Sequence, residues 1–217
     1  MASTPDLIAD LRTRMARLED ATPSSMPLAT HPALAGLVQL RAGASYSVDS
    51  ATLALAMLAG PSRAGSWCAA VGVSDFGAEA AVALGVDLDR IVLVPDAGEQ
   101  WLEVTAALVD VATVVLVRPR GRVAPSAAEK LSARLRKRGA ALVVWGEWPR
   151  CEVRLTATEP AWAGVGQGHG HLRSRRMIVE ARRGTTPPRR GALWFPAEDQ
   201  SYRAVEPVVS PAVEGVA

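Results

Sequence analysis

Lysine, cysteine and histidine are scarce in this chain. Of 24 basic residues only Lys130 and Lys137 are lysines, and Cys68 and Cys151 are the two cysteines. Two thiols far apart cannot build a disulfide framework or a thiolate metal site, and they suit a reducing compartment. Of the three histidines, His31 is remote, and His169 and His171 share a Gly-rich run with no Cys or acid beside them. That is a poor metal site, so solvated loop histidines and no bound metal are expected. No run of ~18 apolar residues occurs, and charge begins at Asp6, which predicts no spanning helix, no signal peptide and a cytoplasmic protein. A net charge of +2 excludes a strongly basic nucleic-acid coat. With 49% hydrophobic and 21% charged residues, general disorder is excluded as well. A chain of 217 residues can bury a core without staples.

Thr4-Pro5-Asp6 is a helix start, with a capping hydroxyl, a proline at the first turn and an acid behind it. Leu7, Ile8, Leu11, Met15 and Leu18 then share one helical face, which predicts an amphipathic N-terminal helix over 1–20. Pro23, Pro27 and Pro32 make 21–33 a linker. From there strands are read at 37–40, 67–71, 91–94, 113–117 and 140–145, with helices at 51–59, 79–84, 99–109 and 126–138 between them. Continuous apolar strands alternating with helices predict an α/β fold, a mostly parallel sheet flanked by helices. After residue 150 the period becomes two, at 152–155, 176–180 and 192–195, which predicts antiparallel strands at the C-terminal end. The core therefore spans 34–196, and 197–217, without period, reads as a flexible tail.

Charge is uneven. Asp75, Asp96, Glu99 and Asp110 belong to an acidic stretch over 69–111, whereas Arg118, Arg120, Arg134 and Arg138 belong to a basic stretch over 118–138. A second Arg-rich stretch covers 173–190. One acidic and one basic face are expected, with plain solvated helix surfaces as the alternative.

A parallel sheet feeding an Ala/Leu helix raises the question of nucleotide binding. A phosphate loop needs glycines, a Lys and a Ser or Thr for magnesium. The stretch 41–53 offers Gly43, Ala44, Asp49, Ser50 and Ala51, with no Lys. Asp49 sets an anion where phosphate would sit, at the positive end of the following helix, and is expected to cap that helix itself. A magnesium-ordering acid is usual at the end of a central strand. Here the strand 115–117 is followed by Arg118, a reversal of charge. No nucleotide cofactor and no ATP hydrolysis are expected.

The run Ala83 to Gln100, ALGVDLDRIVLVPDAGEQ, resembles the RecA-family segment in which LGVD precedes an apolar strand and P-D-x-G-E-Q. The likeness is strongest over Gly65–Asp110 and extends more coarsely over 36–196. It implies a RecA-like core and places Ser74 where recombinases carry the catalytic glutamate. Asp75 beside it does not restore the site without a Lys and a magnesium acid. Both DNA-contacting loops of recombinases are short in this chain, after Pro119 and after Trp148. A RecA core without its ATP residues and DNA loops resembles the actinobacterial ImuA-prime family. That resemblance implies a non-enzymatic adaptor in SOS-induced, error-prone translesion synthesis. The implied partners are an ImuB-type Y-family polymerase homologue, RecA and, indirectly, an error-prone C-family polymerase and the sliding clamp, with nucleoid association in the complex. The alternatives are a SulA-like inhibitor of the division GTPase and a residual nucleotide-dependent DNA-binding ATPase.

Candidate contact residues follow. The N-terminal stripe docks on a neighbour or on its own core, two readings that stay open. Trp67, Trp101 and Trp145 read as core, whereas Trp148, Trp162 and Trp194, nearer loops and edges, are candidate partner anchors. Arg134, Lys137, Arg138, Arg175 and Arg176 are candidates for weak, non-specific DNA phosphate contact. The glycine repeat at 164–171 lacks the strand–turn–helix context of a dinucleotide site and reads as a flexible loop. Cys68 and Cys151 read as inert thiols in apolar strands.

Overall fold

In the computed structural model the described residues are 26–166 and 169–205. The N-terminal stripe Leu7, Ile8, Leu11, Met15 and Leu18 lies outside them. The chain runs β1 (Ser45–Val48), α1 (Ala51–Arg63), β2 (Cys68–Val71), α2 (Ala78–Leu84), β3 (Ile91–Val94), α3 (Trp101–Val109), β4 (Val114–Val117), α4 (Pro125–Arg138) and β5 (Ala141–Trp145). It continues through β6 (Val153–Gly166), β7 (His169–Arg182), β8 (Arg189–Trp194) and β9 (Arg203–Ala204). The strands form one sheet in the order β3-β2-β4-β5-β1-β6-β7-β8-β9. Pairing is parallel from β3 across to β6 and antiparallel from β6 onward. The fold is therefore α/β with a mostly parallel sheet, flanking helices and antiparallel strands at the C-terminal end.

Period-two side chains divide the sheet between two cores. Cys68, Ala70, Val114, Leu116, Ala141 and Val143 pack on the side of α1. Ala69, Val71, Val115, Val117, Leu142 and Val144 pack under α3 and α4. Leu53, Met57 and Leu58 of α1 are fully buried, each contributing about 1.5–3 kcal/mol relative to exposure. Two helices end as their residues dictate: α2 stops at Gly85 with φ 100° and α4 at Gly139 with φ 67°, left-handed conformations that favour glycine. The edge strand β3 departs from the expected double burial, since Val92 and Leu93 are both exposed.

Several boundaries differ from the sequence reading. Residues 37–40 are not a strand. They wrap Tyr46, whose hydroxyl accepts from the Arg41 amide at 2.7 Å and donates to the Gln39 carbonyl at 3.1 Å. The end of the expected linker is packed: Leu28 N–H bonds the Leu40 carbonyl at 2.8 Å, Pro27 bridges Arg41, and Ala33 is buried. Gly60 of α1 lies directly beneath this segment, where a Cβ would stand 2.6 Å from the His31 backbone nitrogen. His31 is buried rather than solvated. Its Nδ1 accepts from the Ala33 amide at 3.2 Å, and desolvation, followed by the nearby Arg63 charge, lowers its pKa.

At the other end, the expected tail is folded as far as residue 205. Ala197 is buried, and β9 pairs with Leu193 and Trp194 of β8. The expected loop at 164–171 is instead the end of a long hairpin. β6 pairs with β1 only through Leu155, and β8 reaches β7 only from Arg176, so the hairpin continues beyond the sheet as a two-stranded arm.

Candidate functional site

A turn from a parallel strand into a helix can present backbone amides to phosphate, and the β1–α1 turn falls within the stretch 41–53 singled out from the sequence. Asp49 and Ser50 alone separate β1 from α1. Ser50 is the N-cap, extended at φ −136°, and its Oγ accepts from the Leu53 amide at 3.3 Å. Asp49 does not cap the helix as expected. Its carboxylate oxygens accept from the Ala157 amide at 3.1 and 3.0 Å, tying the turn to β6. Gly43 and Ala44 are not in this turn. They precede β1 at its opposite end, where the Gly43 amide bonds the Ala140 carbonyl at 2.8 Å. The four residues of β1 set the two ends about 13 Å apart. The error came from reading the apolar run 37–40 as the first strand.

Arg118 follows β4 and lies beside this turn. Its amide bonds the Val71 carbonyl at 3.0 Å, and its guanidinium donates to Asp75 at 3.2 Å. The same guanidinium stands 4.1 Å from the centroid of the Trp145 indole. Gly72 permits this approach, because a Cβ there would meet the Arg118 carbonyl at 2.7 Å. Ser74 is exposed on the turn after β2, with Phe76 half-buried behind it. Ala51, Leu116, Phe76 and Trp145 surround a residual cavity of only about 20 Å³. Magnesium triphosphate does not fit these residues. The turn has no Lys and carries its own carboxylate, and the cavity of about 20 Å³ against the start of α1 is far too small for a nucleotide.

The remaining candidates separate clearly. Trp148 is 2% exposed and so is no surface anchor, and Trp194 is half-buried in β8. Trp162 is half-exposed on the hairpin arm with the Arg175 guanidinium 5.2 Å from its ring centroid. Trp67, read as core, is equally exposed. Arg175 is committed internally, donating to Thr52 Oγ1 at 2.7 Å and to the Phe195 carbonyl at 3.0 Å. Arg134 and Arg138 both bind Asp110, at 2.8 and 3.0 Å. Hydrogen bonding from Arg134, with Arg138 beside it, holds the Asp110 carboxyl down to about 2. Lys137 and Arg176 are exposed.

These pairs overturn the expectation of separate acidic and basic faces. Arg118–Asp75, Arg120–Asp96 and Arg134–Asp110 join the two charge stretches to each other. The cysteines behave as expected in reactivity: burial pushes the Cys68 thiol up to about 12 and raises that of Cys151. Cys151, however, lies in the half-buried link before β6 rather than in a strand. Among the described residues there is no cluster of three or more potential metal ligands, and no helix is long and apolar enough to cross a membrane.

The sequence reading missed a groove of about 840 Å³ at the C-terminal end of the sheet. The segment 119–125 forms one wall and the segment 145–150 the other, with Arg154 at the floor's edge. Arg122 and Arg150 are exposed along it, and Arg150 holds a left-handed φ of 54°. The visible signal was Pro119, Pro125 and Pro149 spaced among arginines.

Comparison with known proteins adds the following. The flagellar accessory protein FlaH of Methanocaldococcus jannaschii aligns in structure with a TM-score of 0.42 and 6% identity, over 70% of this chain and 85% of that one. The uncharacterized protein Rv3395c of Mycobacterium tuberculosis is 33% identical over 185 residues, 81% of this chain and 91% of that protein. The family described as the MT3502 N-terminal domain matches residues 33–150, from the first turn of the described core to the end of the groove wall. The chain belongs to the MT3502 N-terminal domain family.

Proposed function

We propose that this protein is a non-catalytic RecA-fold adaptor of the ImuA-prime type, acting in SOS-induced, error-prone translesion synthesis. It binds an ImuB-type Y-family polymerase homologue and RecA, and through the former reaches a C-family polymerase and the sliding clamp. On this reading it is cytoplasmic and nucleoid-associated when in complex. The observation that carries the proposal is the Asp49–Ser50 turn together with the Arg118–Trp145 stack. A RecA-like core whose β1–α1 turn has no Lys and ties its own carboxylate to β6 keeps the scaffold and gives up the reaction. The chemistry that remains is surface recognition, with exposed Trp67 and Trp162 and exposed arginines among the available groups.

The test is co-purification of the full chain with the ImuB-type homologue, with the division GTPase as a parallel bait. Capture by the polymerase homologue alone is expected. Capture by the GTPase alone, or by neither, overturns the proposal.

A further inference from the structure

We propose that the groove between residues 119–125 and 145–150 is a docking site for a linear protein segment in which acidic residues alternate with apolar ones. Three features point to an anionic occupant. Arg122 is exposed on one wall and makes no ion pair among the described residues. Arg150 on the facing wall pairs with Glu129, at 3.4 Å, and the ion pair of Arg154 is with the almost fully exposed Glu147, at 3.7 Å. Loose, solvated pairs of this kind are easily exchanged for a better-placed carboxylate. The N-terminus of α4 also opens here without a side-chain cap, because Ala124 is its N-cap residue. Pro125 has no N–H and the Ala127 amide bonds the Ala124 carbonyl at 3.0 Å, so Ser126 alone offers its amide, and the positive end of the helix dipole adds a preference for negative charge.

The second observation is independent of the charges. Trp148 lines the groove, is 98% buried, and its indole N–H has no acceptor among the described residues. A buried donor without a partner is unfavourable, and because this N–H is closed to solvent in the free protein, a bound carboxylate or carbonyl would satisfy it as the 145–150 segment shifts.

The walls distinguish a peptide from a nucleic acid. Single-stranded nucleic acid needs aromatic faces open to bases. Neither indole here supplies one: Trp148 is buried, and Arg118 covers the face of Trp145. Pro119, Val123, Pro125 and Pro149 instead give rigid apolar surface between the arginines, suited to aliphatic side chains spaced between carboxylates. The assignment deepens the adaptor reading by naming the chemistry of the partner segment, and it rests on that reading only for the choice of the natural partner.

Fluorescence anisotropy of the full chain tests it, with a short labelled peptide alternating Glu and Leu, its Gln-for-Glu counterpart, and oligothymidylate of matching length. The acidic peptide is expected to bind most tightly, and Arg122→Glu with Arg150→Glu to weaken it by about tenfold or more. Both side chains are exposed, so the melting temperature should stay unchanged, and Arg122→Ala alone should give a smaller loss in the same direction. Tighter binding of oligothymidylate, equal binding of the Gln peptide, no peptide binding, or indifference to the substitutions each overturns the assignment. Co-purification with the ImuB-type homologue separates the two proposals. Capture by the wild type and equally by the double variant sinks the groove alone, whereas failure of the wild type sinks the adaptor reading and leaves the peptide titration to judge the groove.

Discussion

The guanidinium of Arg118 lies 4.1 Å from the centre of the Trp145 indole, so the end of β4 and the end of β5 are joined by a cation on an aromatic face. The guanidinium also donates to Asp75 at 3.2 Å, which ties the end of β4 to the turn after β2. The stack is an internal bond between neighbouring strands, made at a strand end where P-loop NTPases hold a metal-ordering acid.

Arg118→Ala removes both contacts. The pair with Asp75 is about half exposed on each side and adds little, so the stack dominates. A loss of about 1 kcal/mol is expected in urea denaturation, from the range for a partly solvated cation–π contact. No change at all would mean that the stack does not form in solution.

Asp49→Ala frees the Ala157 amide. A carboxylate accepting a backbone N–H contributes about 1.5–3 kcal/mol, and this exposed position should fall at or below the lower end. Hydrogen exchange at Ala157 should accelerate while amides in β4 and β5 stay protected. Unchanged exchange at Ala157 would show that the carboxylate does not hold β6.

Gly60→Ala places a methyl against the backbone of residues 29–31, with contacts of 2.6–2.7 Å. Backbone cannot rotate away as a side chain can, so a loss of about 1–3 kcal/mol or more is expected in thermal unfolding. A variant as stable as the wild type would show that residues 26–33 do not pack on α1.

Asp110 and His31 give two separate steps on the acid side of one pH profile. The Asp110 carboxyl titrates at about 2 when folded against 3.8 otherwise, so its stabilisation is complete above about pH 4 and is lost as pH falls toward 2. The folded His31 titrates below 6.5, so the unfolded chain takes up that proton first and stability begins to fall as pH drops through 6.5. Asp110→Asn should remove the lower limb and His31→Gln the upper one, read as denaturation midpoint against pH. A limb that survives its own substitution belongs to another group.

The parallel half of the sheet was legible because β2, β4 and β5 are unbroken apolar runs, as buried parallel strands must be. β1 was not: Ser45-Tyr46-Ser47-Val48 looks less like a strand than Leu37–Leu40. Yet the Ser47 hydroxyl is buried and satisfied, donating to the Gly146 carbonyl at 2.6 Å. That single shift carried Gly43 and Ala44 into the candidate turn. Gly164 and Gly166 likewise read as loop although they lie within β6. At Gly164, with φ 111°, a Cβ would stand 2.2 Å from the His171 carbonyl, so the glycine is there for close strand approach. The charge reversal at Arg118 was visible in the sequence, but its partners Asp75 and Trp145 were not, because pairing across 43 residues depends on strand order.

Isothermal titration of the full chain with ATP and magnesium tests the central claim most directly. A turn that carries its own carboxylate beside a cavity of only about 20 Å³ predicts no saturable heat at any accessible concentration. A stoichiometric, saturable isotherm that disappears in Ser50→Asp would contradict it.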